Sequence, residues 1–211
     1  MQANLDTSPA LTITERARRQ QIVLAAISCI AERGFGNASF TRIAEQAGLS
    51  STGLISYHFR GKRQLNAAIA YHVLDDLGAW MYERMKDCAD PPAALEAYIR
   101  NLLAYMQERP QHLAALSELV LHGALDWDAS DQQHATSALE EILRHGQAAG
   151  AFRAFDVSIM ATTIQRSLDG IPFLQRSNPE IDLNAYGDEL VETFRRATTA
   201  GTPFGVDEVA S

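Results

Sequence analysis

The chain has 211 residues, 46% hydrophobic and 21% charged, which is enough for one or two domains with a buried core. It contains no apolar run of about 18 residues of the kind that crosses a bilayer, and its start, "MQANLDTSPALTITERARRQ", lacks the basic-then-apolar order of a secretory leader, so a cytoplasmic protein without membrane contact is expected. The formal charge of −8 is uneven: residues 1–66 carry a net +4, from Arg16, Arg18, Arg19, Arg33, Arg42, Arg60, Lys62 and Arg63 against four acids, and residues 67–211 carry −12. A basic segment on an acidic body points that segment toward an anionic partner.

Residues 1–13 are polar, contain Pro9 and read as a loose arm. A helix is expected from about Thr14, with Glu15 in its first turn, Ile22, Ala26, Cys29 and Ile30 at helical spacing, and Gly34 as its stop. Cys29 sits on the apolar face of that helix and reads as a small buried hydrophobe; with Cys88 it forms no C-x-x-C pair. A short helix follows the Ser39 cap and ends at Gly48. Another, capped by Ser50 or Ser51, ends near Phe59. The next runs from Lys62 to about Asp87 with Leu65, Ile69, Val73, Leu77 and Trp80 at helical spacing. Pro91-Pro92 and Pro110 each open a helix, as proline does in a first turn. Ser130 or Asp131 starts a helix closed by Gly146 or Gly150, and Asp156 caps "VSIMATTIQRSLDGIPFLQRS", which Pro172 bends or breaks. Residues 182–199 form the last helix, and 201–211 a tail. No β-type alternation and no internal repeat is present, so the expected fold is all-α with about nine helices.

The stretch 39–59 reads as helix, tight glycine-containing turn, helix. In the second of these helices Ile55 and Phe59, at i and i+4, supply the only inward face. Thr52, Gly53, Leu54, Ser56, Tyr57 and His58 are left outside: small and hydrogen-bonding groups, suited to phosphates and base edges. Gly53 permits close approach of a phosphate to the helix end, whose amides point at an anion. Arg42, Lys62 and Arg63 flank this face as phosphate neutralisers. An ordinary αα-corner with a polar outer face shares the pattern; the charge asymmetry favours nucleic acid.

The run "SFTRIAEQAGLSSTGLISYHFRGKRQL" resembles the DNA-binding domain of TetR-type bacterial repressors through Ser39, Ile43-Ala44, Ala47-Gly48, Ser51, Gly53, Tyr57, Phe59 and Lys62, and "STGLISYHF" is most similar to the BetI-like branch. The turn "GLSS" is one residue longer than the family's usual turn, and Ser56 stands where a tyrosine is common. Carried over by position, the resemblance implies phosphate contacts near Ser39, Thr41, Tyr57, His58 and Lys62. It implies groove contacts from Arg42, Thr52, Gly53, Leu54 and Ser56, with Ser51 in the turn beside them. It also implies an N-terminal three-helix domain over 14–66 and a C-terminal effector-binding and dimerisation domain over 67–200, acting on double-stranded operator DNA as a homodimer. The helices at 156–176 and 182–199 match the dimerising pair, with Ile159, Ile164, Leu168, Phe173, Leu190 and Phe194 as interface candidates.

Other chemistry is sparse. Glu108/His112, Glu118/His122 and Glu141/His145 read as solvent-facing i, i+4 pairs, whereas helix-bundle di-iron sites use Glu-x-x-His. Asp131/His134 has the i, i+3 spacing, but alone and with the shorter acid. No metal and no cofactor is therefore expected. There is no P-loop, no G-x-S-x-G and no complete G-x-G-x-x-G, so no enzyme is expected. The C-terminal part is rich in aromatic and methionine residues of the kind that line small-molecule cavities. The candidates for a pocket holding an organic effector are Trp80, Met81, Met85, Tyr98, Leu102, Tyr105, Met106, Leu116, His122, Trp127, Leu168 and Phe173. The leading expectation is a ligand-responsive transcriptional repressor. The alternatives are an all-α enzyme or metalloprotein with an incidental basic corner, and a regulator that senses a protein partner.

Overall fold

A computed structural model describes residues 12–126 and 129–199, and within 129–135 the backbone alone. Trp127, most of the 1–13 arm, the 201–211 tail and the Asp131/His134 side chains lie outside the described residues.

The first helix, α1 (Ile13–Arg33), begins one residue earlier than expected because Thr12 and Glu15 form a capping box: the Thr12 side chain accepts from the Glu15 amide and the Glu15 carboxylate accepts from the Thr12 amide. A single 3-10 turn, Phe35–Asn37, leads into α2 (Phe40–Gln46), where Ser39 caps the Arg42 amide. Gly48, at φ 63°, ends α2, and Leu49 N–H reaches back to the Ala44 carbonyl at 2.8 Å. This left-handed conformation is one that a residue bearing Cβ adopts only with strain, so glycine is required there. The next helix, α3 (Gly53–His58), has Thr52 at its N-cap position with no side-chain cap. The expected cap from Ser50 or Ser51 is therefore not made.

The long α4 (Lys62–Met85) leaves this unit and enters the rest of the molecule. There α5 (Pro91–Glu108) and α6 (Pro110–Leu121) both carry proline in the first turn, and Asp90 caps α5 through the Ala93 amide. Helix α7 (Ala129–Ala148) is stopped by Gly150 at φ 71°, not by Gly146. Gly146 is inside the helix for another reason: a Cβ there would stand 2.1 Å from Cδ2 of Phe152. The segment "VSIMATTIQRSLDGIPFLQRS" breaks at Gly170 into α8 (Val157–Asp169) and α9 (Ile171–Ser177), with Pro172 in the first turn of the second piece. Asp182 caps α10 (Leu183–Thr198).

The fold is all-helical among the described residues, with nine helices when the broken pair α8–α9 is counted once. No described helix is long and apolar enough to cross a membrane. The core is continuous. Ile22, Ala26, Ile30, Ile43, Ile55 and Phe59 close the N-terminal unit, and Leu65, Ile69 and Val73 of α4 carry it into the cluster around Ile99, Tyr105, Leu119 and Leu143. Helix α1 also lies along α6, and α5 lies along α10, where a Cβ on Gly187 would meet Leu103 Cδ1 at 2.8 Å.

Candidate nucleic-acid interface

In α3, Ile55 is 0% exposed and Phe59 1%, so the helix turns one side fully inward. Leu54 and Tyr57 are exposed, Tyr57 at 73%, and Gly53 and Ser56 lie outside with them. Thr52 and His58 are half-buried at the two ends. The Tyr57 ring stands edge-on to the His58 ring at a centroid distance of 5.0 Å. His58 is held below the ordinary imidazole range by burial and then by the Arg19 guanidinium.

Ser39, Thr41, Arg42, Ser51 and Lys62 are exposed around this face. Arg42 Nη1 donates to the Asn37 carbonyl at 2.7 Å, which leaves the guanidinium's other donors to solvent. Lys62 Nζ lies 5.4 Å from the centre of the Phe35 ring. Arg63 turns away: it pairs with Asp126 in the segment after α6, with Nε 3.1 Å from Oδ2. Arg42 and Lys62 are exposed on α2 and α4, and Arg63 belongs to a pair whose two side chains are both largely in solvent.

Among the described residues, most pocket candidates pack against one another. Trp80, Tyr98, Leu102, Tyr105, Met106, Leu116 and Leu168 are buried and belong to one packed cluster; Met81 and Met85 border it half-buried. Trp80 and Tyr105 meet edge-to-face at 5.7 Å, and Trp80 Nε1 donates to the Asn101 carbonyl at 3.2 Å. The Tyr105 hydroxyl donates to Asp76 at 2.8 Å, and Arg109 joins the same carboxylate. His122 is exposed, with its ring 5.4 Å from that of Phe35. Phe173 is 37% exposed and lines a groove of about 240 Å³ between α1, α6 and α9, together with Glu32, Gln111, Glu118 and Arg176. A second groove, of about 280 Å³, lies between the start of α5 and the end of α10.

The interface candidates divide. Ile164, Leu168 and Phe194 are buried within one protomer and cannot also meet a second. Ile159, at 68%, and Phe173 face outward, Leu190 is half-buried, and Leu174 adds to the exposed set. No group of three metal-ligating side chains occurs among the described residues.

The sequence reading of Glu118 as half of a solvent-facing i, i+4 pair with His122 is corrected by its burial. Glu118 is 3% exposed, and its carboxylate accepts from the Phe35 amide at 2.9 Å and from Arg176 Nη1 at 2.6 Å. Burial works to raise this carboxyl, but the Phe35 amide and Arg176 outweigh it and hold it below the usual carboxylate range. The available signal was a lone acid inside the apolar run "LAALSELVL".

The family model described as "Bacterial regulatory proteins, tetR family" matches residues 22–69. The chain is 34% identical over 86 residues to the HTH-type transcriptional regulator BetI of Pectobacterium atrosepticum, covering 40% of this chain and 44% of that protein. It is 33% identical over 108 residues to the HTH-type transcriptional regulator RutR of Escherichia coli K12, covering 51% of this chain and 50% of that protein. The chain thus spans about half the length of the curated relatives it matches. Among solved structures, AibR in complex with isovaleryl coenzyme A and operator DNA superimposes with a TM-score of 0.72 at 20% identity, over 83% of this chain and 97% of that one. At that identity the likeness is one of fold.

Proposed function

We propose that this chain, a member of the tetR family of bacterial regulatory proteins through its residues 22–69, is a cytoplasmic, dimeric transcriptional repressor that binds operator DNA through α3 and leaves it when a small organic effector binds the helical body. The observation that carries the reading is the division of α3: Ile55 and Phe59 are buried, while Leu54, Ser56 and Tyr57 stand in solvent with Arg42 and Lys62 beside them. A solvated face of hydroxyl, phenol and glycine at a helix edge matches major-groove readout, and the flanking cations match phosphate contact.

The DNA-binding unit is residues 14–66 and the effector and dimer unit is 67–200. Ile159, Phe173 and Leu174 present apolar surface that a second copy would cover. Two copies of a basic unit bind half-sites about one helical turn, or a multiple of it, apart. Support for a small-molecule effector comes from AibR, whose structure holds isovaleryl coenzyme A. Because the aromatic cluster between α4, α5 and α6 is filled, an effector acting there must separate these helices. Such a movement tilts α4, whose start at Lys62 lies next to α3. A coupling of about 2.7 kcal/mol is a hundredfold loss of operator affinity and falls within the usual range.

The test is a gel shift on the duplex upstream of the gene. Tyr57→Ala combined with Lys62→Ala should abolish the shift and leave the helical circular dichroism intact. A double variant that still shifts the duplex overturns the assignment of α3 as the reading helix.

A further inference from the structure

Both C-terminal ends of the helix-turn-helix are held by side chains of one helix, α1. Gln21 Nε2 donates to the carbonyl of Ala47, the C-cap of α2, at 2.7 Å. Arg19 Nη1 donates to the carbonyl of His58, the last residue of α3, at 2.5 Å. The Arg19 guanidinium also lies close over Phe59, with its central carbon 4.2 Å from the ring centre. One turn earlier, on the same face of α1, the Glu15 carboxylate stands 3.4 Å from the Tyr57 hydroxyl.

The last carbonyls of a helix have no partner within the helix, and a cation there also answers the negative end of the helix dipole. The need is acute in α3. It has six residues, no side-chain N-cap, and a single inward pair, Ile55 and Phe59. A helix this short does not hold its direction by its own hydrogen bonds. Arg19 supplies three constraints at once: a charged donor to the open carbonyl, a contact surface on Phe59, and a fixed root in α1, whose Ile22, Ala26 and Ile30 are embedded in the core. Arg19 is half-buried, with its guanidinium directed at the protein.

We propose that Arg19 and Gln21 are positioning residues for operator binding: they set the direction of α3 and the spacing of α2 and α3 without touching DNA. The proposal rests on the assignment of α3 as the reading helix. Short groove-facing side chains reach a base edge only when the helix is held in place, so loss of the Arg19 clamp lowers affinity for the preferred duplex even though every groove-facing side chain is kept. The role differs from phosphate binding in one measurable respect. A lysine or arginine that neutralises a phosphate contributes about 0.9 to the slope of log affinity against log salt, and a positioning residue contributes nothing to it.

The experiment uses the full chain and a duplex selected from random sequence by the wild-type protein. Arg19→Met, Gln21→Met and Arg19→Lys are compared with Lys62→Ala, the phosphate-contact control. Arg19→Met should lose tenfold or more in affinity, about the worth of one charge-assisted hydrogen bond, with the salt slope unchanged. Arg19→Lys should recover part of the loss, and Lys62→Ala, which removes one phosphate contact from each of the two copies, should lower the slope by about 1.8. In the free protein, Arg19→Met should speed hydrogen exchange at Ser56 and Phe59, whose amides donate to Thr52 and Ile55 within α3, and leave the α5 amides protected. Wild-type affinity in Arg19→Met, or a slope lowered by about 1.8 with α3 exchange unchanged, overturns the proposal and in the second case makes Arg19 a phosphate ligand. If the wild-type protein selects no duplex, the regulator reading fails instead, and the exchange rates alone decide whether Arg19 holds α3.

Discussion

Removing the Glu118 carboxylate tests the join between the N-terminal unit and the helical body. Glu118 sits on α6, its two bonds reach the turn after α1 and the end of α9, and it is almost fully buried. In Glu118→Ala the Phe35 amide loses its acceptor in a half-buried turn, which costs about 1–3 kcal/mol. The loss of side-chain packing adds roughly 1 kcal/mol, so the expected destabilisation is about 2–4 kcal/mol. Arg176 has a side chain 58% exposed and returns to water when the pair is broken. Arg176→Ala leaves the buried carboxylate with the Phe35 amide, so it should cost more than the roughly 1 kcal/mol of an exposed pair but less than Glu118→Ala. Glu118→Gln keeps an acceptor for Phe35 and should fall between the two. Urea unfolding at 25 °C, followed by circular dichroism at one fixed protomer concentration, measures all three. The pH dependence has a definite sign. The folded carboxyl is held below its unfolded value, so its contribution is present above the ordinary glutamate range, about 4.3, and is lost as pH falls through the lower folded value. The difference between wild type and Glu118→Gln should accordingly shrink on acidification from pH 6. If Arg176→Ala is as damaging as Glu118→Ala, or Glu118→Ala costs less than about 1 kcal/mol, the buried amide is not what the carboxylate serves.

Three further outcomes are expected. Gly146→Ala would put a methyl where the Phe152 ring lies, and overpacking of this kind should destabilise by about 1–3 kcal/mol in the same urea assay, whereas Gly78→Ala, with open space around it in α4, should be neutral or stabilising. Ile159→Asp should leave the fold intact and weaken the dimer in sedimentation equilibrium, because Ile159 is 68% exposed in the protomer; an unchanged dimer moves the interface elsewhere. With a thiol reagent at pH 8, the half-buried Cys88 should react in the native protein and Cys29 only on unfolding, since burial both hides the Cys29 thiol and pushes its ionisation up; equal rates would refute this.

Local chemistry is legible in the amino-acid sequence by itself. The Ser39 cap, Gly48 stop, proline-led α5 and α6, Asp156 cap and the break near Pro172 each depend on a few adjacent residues, and each is found where those residues stand. The inward pair Ile55 and Phe59 is readable because helical spacing alone decides which residues share a face. Caps chosen among several hydroxyls are not readable: Thr52, not Ser50 or Ser51, starts α3, because the fold around the turn sets where helical geometry begins. Tertiary contact alone decides whether an aromatic set is a cavity or a core. Trp80, Tyr98 and Tyr105 carry the same pattern in either case; in the fold they are buried in one cluster, with Asn101, Gln165 and Asp76 satisfying their polar atoms. It also separates Ile164 and Phe194, turned inward, from Ile159, turned out, on helices whose apolar stripes are wider than one neighbour covers. The clamp of Arg19 and Gln21 on the ends of α3 and α2 joins residues 39 and 26 positions apart in sequence. No local pattern marks such a pair, because an arginine on the polar side of a helix looks solvated until another helix end is brought beneath it.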